Sequence, residues 1–221
     1  MRTSQKGLTP ERRQLVLLAD GGALADFSER LVLEGAPRKD FARLPDTIIR
    51  ALSDTTKNEI VCPIESRIFC NVGFEKAQSF VARMEPHWTV RTFPLTVAKY
   101  EREVGAEKTS HRFRLRFHAY IGYALGLLTA EYRQIEAMRR PMIGIVSDDP
   151  HLIPCMGNSL AMNVDVRLIW WASAIADEVS YLAARNGVKT TLIQEDDASG
   201  YQEGQEDAAL LHLLSGGKSA G

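Results

Sequence analysis

The chain has 221 residues, 45% hydrophobic and 25% charged, which is typical of a soluble globular protein with one sizeable domain and short tails. The formal net charge of -1 excludes a global electrostatic attraction to nucleic acid or to an anionic membrane, so any such site must come from local clustering. The three cysteines include no CxxC pair, which argues against a disulfide framework or a zinc site and favours a reducing, cytoplasmic setting. The polar N-terminus lacks the apolar core of a signal peptide, and we expect no membrane association.

The first half of the chain alternates apolar runs with amphipathic stretches. Residues 14–19 are almost wholly apolar and end at Asp20-Gly-Gly22, which predicts a buried strand followed by a tight turn. Apolar residues at helical spacing predict helices over 23–33, 41–52 and 74–84. Shorter apolar or alternating runs predict strands over 66–72 and 87–95.

The second half repeats this alternation after a mixed-charge connection over 99–112. Its predicted elements are a long helix over 114–138, a strand over 142–146, a helix through Leu160 and Met162, a strand over 164–171, a helix over 174–185 and a strand over 190–193. Strands that alternate with helices predict an α/β fold, a three-layer α/β/α Rossmann-like domain with a mainly parallel central sheet.

We assign this domain to residues 14–194. Residues 1–13 are charged and predicted to form a flexible N-terminus. Residues 195–221 are predicted to form an acidic tail with a short apolar helix near 208–214, which we expect to dock on its own domain or on an oligomer mate.

Acidic side chains follow the strand over 142–146. The chain continues Ser147-Asp-Asp-Pro150, so Asp148 and Asp149 would stand at the carboxyl end of a buried parallel strand, where such sheets bind ligands. Two adjacent carboxylates suit a hard divalent ion such as Mg²⁺. In the alternative interpretation, one aspartate caps the next helix and the other is solvated.

The order of elements and the acids at the strand ends resemble the NYN family, a branch of the PIN-like metal-dependent ribonucleases, over about residues 15–193. The family has Ser-Gly-Asp-Ser-Asp-Phe after its core strand, then an apolar helix with an early proline. Here Val146-Ser-Asp-Asp-Pro-His-Leu-Ile-Pro154 aligns without a gap, with Asp148 at the family's glycine and His151 at its second aspartate. Leu17-Leu-Ala-Asp-Gly21 is similar to the opening strand and carries the first metal-binding acid, Asp20.

The resemblance implies hydrolysis of phosphodiester bonds in RNA, with single-stranded DNA as a second choice of substrate. Asp20, Asp148 and Asp149 would be the catalytic acids and would hold Mg²⁺ or Mn²⁺, because the first and fourth predicted strands would be neighbours. Ser147 would bond a phosphate oxygen or a water on the metal. The ion would activate a water and stabilise charge on the phosphate.

The chain also departs from the family pattern. Ala23 replaces an asparagine, and the region that usually carries a lysine and a further acid reads His111-Arg-Phe-Arg-Leu-Arg-Phe-His118. Arg112, Arg114, Arg116 and His118 would bind the nucleic acid through its phosphates. Alternatively, Arg114, Arg116 or His118 would pair directly with Asp20 or Asp149 and replace the metal.

Three further side-chain groups have weaker patterns. His151 is either an acid or base near neutral pH or simply an exposed residue in the first turn of a helix. Trp170 and Trp171 would either stack a base or pack in the core, and Cys155 is expected in the core. No GxGxxG or GxxxxGK[ST] motif follows a strand, which argues against a Rossmann dehydrogenase and a P-loop NTPase.

A metal-dependent ribonuclease is therefore the leading functional hypothesis. The second hypothesis is a catalytically inactive NYN-like domain that binds nucleic acid or a protein partner. Another doubly wound protein with acids at its strand ends, such as a phosphatase-like or nucleotide-binding fold, is a third and has no second motif to support it.

Overall fold

A computed structural model of the chain describes residues 11–36, 41–54, 59–71, 75–93 and 117–194. Six strands form one sheet in the order β3-β2-β1-β4-β5-β6, and every pair of neighbours is parallel. The strands are β1 (Glu11–Asp20), β2 (Glu59–Asn71), β3 (Thr89–Phe93), β4 (Met142–Val146), β5 (Val166–Trp171) and β6 (Lys189–Ile193).

Helices cover both faces of this sheet. They are α1 (Gly21–Leu33), α2 (Leu44–Asp54), α3 (Glu75–Met84), α4 (His118–Tyr132), α5 (Ile153–Ala161) and α6 (Asp177–Arg185), with 3-10 turns at Ala137–Arg139 and Pro150–Leu152. The predicted three-layer α/β/α fold is thereby confirmed. Among the described helices, none is both long and apolar enough to cross a membrane.

Strand β1 separates two hydrophobic cores. Leu15 and Leu17 point into the core that α1–α3 cover, whereas Val16 and Leu18 point into the core under α4–α6. All four side chains are at most 1% exposed, because alternate residues of a strand face opposite sides of the sheet. A wholly apolar strand is what a sheet covered on both faces requires.

The strand order reverses between β1 and β4. Successive strands are added outward on one side of β1 as far as β3, and the chain then returns to place β4 on the other side. Residues 15–19 of β1 pair with residues 142–146 of β4. Helices that leave neighbouring strands for opposite faces open a crevice at the carboxyl ends of those strands, which is where doubly wound sheets bind ligands.

Two predicted elements differ most from the structure in their bounds. Strand β2 begins at Glu59, seven residues before the predicted start at Ser66, and its proline is accommodated by a register shift opposite Leu15/Val16. The described part of the long helix ends at Tyr132 instead of near Met138. The predicted tail over 195–221, the predicted connection over 99–112 and residues 1–10 lie outside the described residues.

The prediction that Cys155 belongs to the core is wrong. The inward positions of α5 are Ile153, Met156 and Ser159, which follow one another at helical spacing. Cys155 lies off that face, and its side chain is exposed.

Candidate functional site

Polar side chains gather where β1 and β4 end. The last pair in the register is Ala19 with Val146, so Asp20 and Ser147 are the next residues of two neighbouring strands. Both are 0% exposed, and Asp149 is 5% exposed. The structure therefore confirms that the first and fourth strands are neighbours and places the predicted acids at one edge of the sheet.

Asp20 connects three elements at this edge. It is the N-cap of α1, and one carboxylate oxygen accepts a hydrogen bond from the backbone N–H of Ala23 at 3.0 Å. The other oxygen accepts from the backbone N–H of Phe117, just before α4, at 3.3 Å. Donors from two helix starts stabilise the negative charge of a buried carboxylate.

Asp149 occupies the equivalent place after β4. It is the N-cap of the 3-10 turn that leads into α5, and its Oδ1 accepts from the backbone N–H of His151 at 2.9 Å. The Asp149 backbone N–H donates to Ser147 Oγ at 3.1 Å. The expected capping role of one of the two aspartates is therefore present, and the buried Ser147 hydroxyl accepts a hydrogen bond within the turn.

Two histidines complete the environment of the Asp149 carboxylate. His151 Nδ1 lies 2.8 Å from Oδ1, and His118 Nδ1 lies 3.1 Å from Oδ2. The imidazole rings stack with centroids 5.2 Å apart and an interplanar angle of 25°. The His118 side chain is 45% exposed and the His151 side chain 73% exposed, so the cluster opens to solvent on one side.

These contacts set the acidity of Asp149. Burial by itself raises the pKa of this carboxyl group, but the hydrogen bonds from the backbone and ring of His151 and the charges of His118 and His151 lower it further than burial raises it. The net effect is a pKa below the ordinary value of 3.8. Asp149 is consequently a carboxylate over the whole neutral pH range.

Three ligand atoms, one each from His118, Asp149 and His151, lie within 4.8 Å of one another. This is a candidate metal-ligand triad, because imidazole nitrogen and carboxylate oxygen both bind divalent ions. Among the described residues, no other group of three His, Cys, Asp or Glu side chains brings its ligand atoms this close together. It shares Asp149 with the predicted acidic set and includes neither Asp20 nor Asp148, which is half-buried.

The remaining predicted site residues have different outcomes. His118, predicted to contact phosphate or to pair with an acid, pairs with Asp149. Arg112, Arg114 and Arg116 lie outside the described residues, so their role in phosphate binding stays a prediction. From the sequence, His151 was expected to be an acid or base or an exposed residue, and not a metal ligand. Its position two residues after a helix-capping aspartate was the signal for its contact with Asp149.

Trp170 and Trp171 are not available for base stacking. They are 0% and 1% exposed, and they pack with Phe27 and Phe41 beneath α1. Their contribution is to the core, which was the other expectation for this pair.

Comparisons with known proteins agree with the fold. No protein-family model matches the chain, and no curated protein matches it. Among solved structures, the chain is similar to a protein of unknown function from Vibrio parahaemolyticus, with a TM-score of 0.55 and 10% sequence identity over 90% of this chain and 99% of that one. The fold and the site together define a doubly wound α/β protein with a candidate metal-ligand triad beside its strand-order reversal.

Proposed function

We propose that this protein is a divalent-metal-dependent ribonuclease that hydrolyses phosphodiester bonds at the carboxyl edge of β1 and β4. The observation that carries the proposal is the triad of His118, Asp149 and His151, whose ligand atoms lie within 4.8 Å of one another. The triad lies beside the carboxyl ends of β1 and β4, the end of the sheet at which such folds bind ligands. Its buried carboxylate is ionised at neutral pH, as a metal ligand must be.

Each group at this edge has a separate role in the proposal. A bound Mg²⁺ or Mn²⁺ would supply an acidified water and charge stabilisation at phosphorus. Asp149 would be the central ligand, with Asp20 and Asp148 as the other catalytic acids of the proposed set. The Asp149 backbone N–H donates a hydrogen bond to Ser147 Oγ. This contact would keep Asp149 in position during the reaction.

RNA is the proposed substrate for two reasons. The stretch from Val146 to Pro154 resembles the NYN family signature, and Arg112, Arg114 and Arg116 precede the helix that contributes His118. Arginine side chains bind phosphate oxygens of a nucleic-acid backbone. Single-stranded DNA, which carries the same phosphates, is the second substrate to test.

A second candidate function is a metal-free NYN-like module that binds nucleic acid or a protein partner. One observation favours it: His118 and His151 together contact both oxygens of Asp149. Protonated imidazoles at these positions would compensate the carboxylate charge without an ion, so the cluster would be structural.

The discriminating experiment is cleavage of end-labelled single-stranded RNA in Mn²⁺, Mg²⁺ or EDTA. We expect cleavage by the wild-type protein only with a divalent ion, and a loss of at least about 100-fold in Asp149→Asn, since that change removes the charged ligand. Glu85 is an exposed carboxylate before β3, at the opposite edge of the sheet. The control variant Glu85→Gln should therefore cleave normally. Absence of cleavage under all conditions would exclude the ribonuclease and leave the binding module.

A further inference from the structure

The composition of the triad carries information about the ion. Two of the three donors are imidazole nitrogens, whereas the predicted Asp20, Asp148 and Asp149 set contains oxygen donors only. Mg²⁺ prefers carboxylate and water oxygens, but imidazole selects borderline transition ions such as Zn²⁺, Ni²⁺ and Cu²⁺. The set of two histidines and one carboxylate is therefore unlike a magnesium site.

The ligand atoms of the triad are close enough together for a single ion to be considered. Donors bound to a single Zn²⁺ at about 2.1 Å are separated by about 3.0–3.4 Å, for octahedral and tetrahedral geometry respectively. The Nδ1 atoms of His118 and His151 lie 3.1 and 2.8 Å from the two Asp149 oxygens. The ligand atoms of all three side chains lie within 4.8 Å of one another, and side-chain rotation would bring them to the spacing of a single-ion site.

The surroundings also fit a site with open coordination positions. Asp149 is buried and held by Ser147, so the anionic ligand is already in place. The two imidazoles lie on the solvent side, at the start of α4 and in the turn before α5. Three protein ligands with solvent beyond them leave a fourth position for water or substrate, as in catalytic zinc sites.

We propose that His118, Asp149 and His151 form a three-ligand site for a borderline divalent transition ion, with Zn²⁺ bound more tightly than Mn²⁺ and Mn²⁺ more tightly than Mg²⁺. This inference takes from the proposed function the premise that the site holds a metal. It replaces the expected oxygen-only set by a mixed nitrogen and oxygen set. The absence of a CxxC pair has no bearing on it, because no thiol takes part.

The test is ion binding by the full chain without a polyhistidine tag. Titration calorimetry with Zn²⁺ should give one site per chain, and Mg²⁺ in 100-fold excess should not displace the bound Zn²⁺. His118→Ala and His151→Ala should each weaken Zn²⁺ binding by at least about tenfold. Two control variants should bind Zn²⁺ like the wild type. His87→Ala removes an exposed histidine before β3, and Cys155→Ser removes an exposed thiol.

A spectroscopic measurement separates ligands from residues that only support the fold. With Cu²⁺ as the probe, the electron paramagnetic resonance spectrum should show coupling to two imidazole nitrogens in the wild type and to one in each histidine variant. Far-UV circular dichroism of the metal-free variants should match the wild type, because the His118 and His151 side chains are 45% and 73% exposed and lie outside the core.

Each result decides the inference independently of RNA cleavage. Displacement of Zn²⁺ by equimolar Mg²⁺, or unchanged nitrogen coupling in both histidine variants, would overturn it. Zn²⁺ binding through both histidines without any RNA cleavage would uphold the inference and refute the ribonuclease. Mg²⁺-dependent cleavage by the wild type, together with unchanged Zn²⁺ binding in both histidine variants, would refute the inference and uphold the ribonuclease.

Discussion

Asp149 shows how a buried acid can stay charged in this protein. Desolvation favours the neutral acid, but one backbone N–H and two ring nitrogens surround its oxygens, at 2.8 to 3.1 Å. Hydrogen bonds to the ionised form outweigh the desolvation penalty, so the pKa lies below 3.8. If the triad binds a metal, the two ring nitrogens would coordinate the ion instead of contacting the carboxylate.

The lowered pKa of Asp149 predicts a particular pH dependence of stability. A carboxyl group whose folded pKa is depressed contributes stability above its unfolded pKa, and this contribution is lost as the pH falls through the folded pKa. We expect Asp149→Asn to lower the free energy of unfolding by about 1–3 kcal/mol at pH 7, because a charged buried acceptor is lost. The substitution should also flatten the decline of this free energy below about pH 4.

Urea denaturation of the metal-free protein at a series of pH values measures this effect. Glu85→Gln is the control, because it removes an exposed carboxylate and should leave the curve unchanged. A wild-type curve and an Asp149→Asn curve that run parallel through the acid range would contradict the assignment.

Two of the three cysteines, Cys70 and Cys155, should differ in their rate of alkylation. Burial, together with the nearby charge of Asp20, raises the pKa of the Cys70 thiol to about 12, whereas Cys155 is exposed. Because the thiolate is the nucleophile, iodoacetamide at pH 8 should alkylate Cys155 in the native protein and spare Cys70. Peptide mass spectrometry after timed labelling checks this, with labelling in urea as the control. Equal rates in the native protein would show that Cys70 is not buried as described.

At the scale of elements, the turn from β1 to α1 depends on a missing side chain. A Cβ on Gly21 would lie 2.5 Å from the carbonyl oxygen of Phe69 and 2.8 Å from Cys70 Sγ, both on the neighbouring strand β2. Glycine therefore lets α1 begin directly after Asp20 while the backbone passes close to β2.

Gly21→Ala should consequently destabilise the fold. We expect the free energy of unfolding to fall by about 1–3 kcal/mol, because the clash involves backbone that cannot move without displacing β2. Gly126→Ala is the matched control in the exposed middle of α4, where a Cβ meets nothing within 4 Å. It should stabilise by about 0.5–1 kcal/mol through helix propensity. Changes of the same sign and similar size in the free energy of unfolding of the two variants would contradict this account.

Helix α4 depends on both strand ends for its position. At the start of the helix, the Phe117 N–H donates a hydrogen bond to Asp20. The His118 ring contacts Asp149. Beneath that turn, Ile121, Leu125 and Leu128 pack into the core shared with β4 and β5. Polar contacts at one end and apolar burial along the length place His118 beside Asp149, at the carboxyl end of β4.

At the scale of the whole molecule, the two cores share one sheet, so they should unfold together. Trp88, Trp170 and Trp171 all lie in the core under α1–α3, whereas the candidate triad lies beside α4 and α5. Tryptophan fluorescence therefore reports on the face opposite the helices that carry the histidines. Far-UV circular dichroism reports on the whole fold.

A metal that binds only the folded state should raise both unfolding midpoints equally. At a free Zn²⁺ concentration 100 times its Kd, the added stability is about 2.7 kcal/mol. A thermal melt followed by both probes, with and without Zn²⁺, measures the shift. EDTA should reverse it, and His151→Ala should reduce it. A shift seen by one probe alone would indicate that the two layers unfold separately.

Local periodicity was sufficient to predict most elements of this fold. The apolar run from Leu15 to Leu18 predicted a strand buried on both faces, and alternation of strands with helices predicted a parallel three-layer sheet. The acids at the ends of the first and fourth strands identified the edge of the sheet at which Asp20, Ser147 and Asp149 lie. The extension of β2 to Glu59 was missed, because its first residues include glutamates and a proline that mask the pattern of a strand.

The amino-acid sequence by itself determined the layers, the sheet edge and the acids Asp20 and Asp149, since these follow from residue spacing within one element. Only the tertiary structure decided that His118 meets Asp149 across 31 residues and that Trp170 and Trp171 are both buried. The physical reason is that strand and helix periodicity is a local property of the chain. The choice of partner for a side chain depends on how α4 packs against β4 and α5, and no short stretch of sequence encodes that packing.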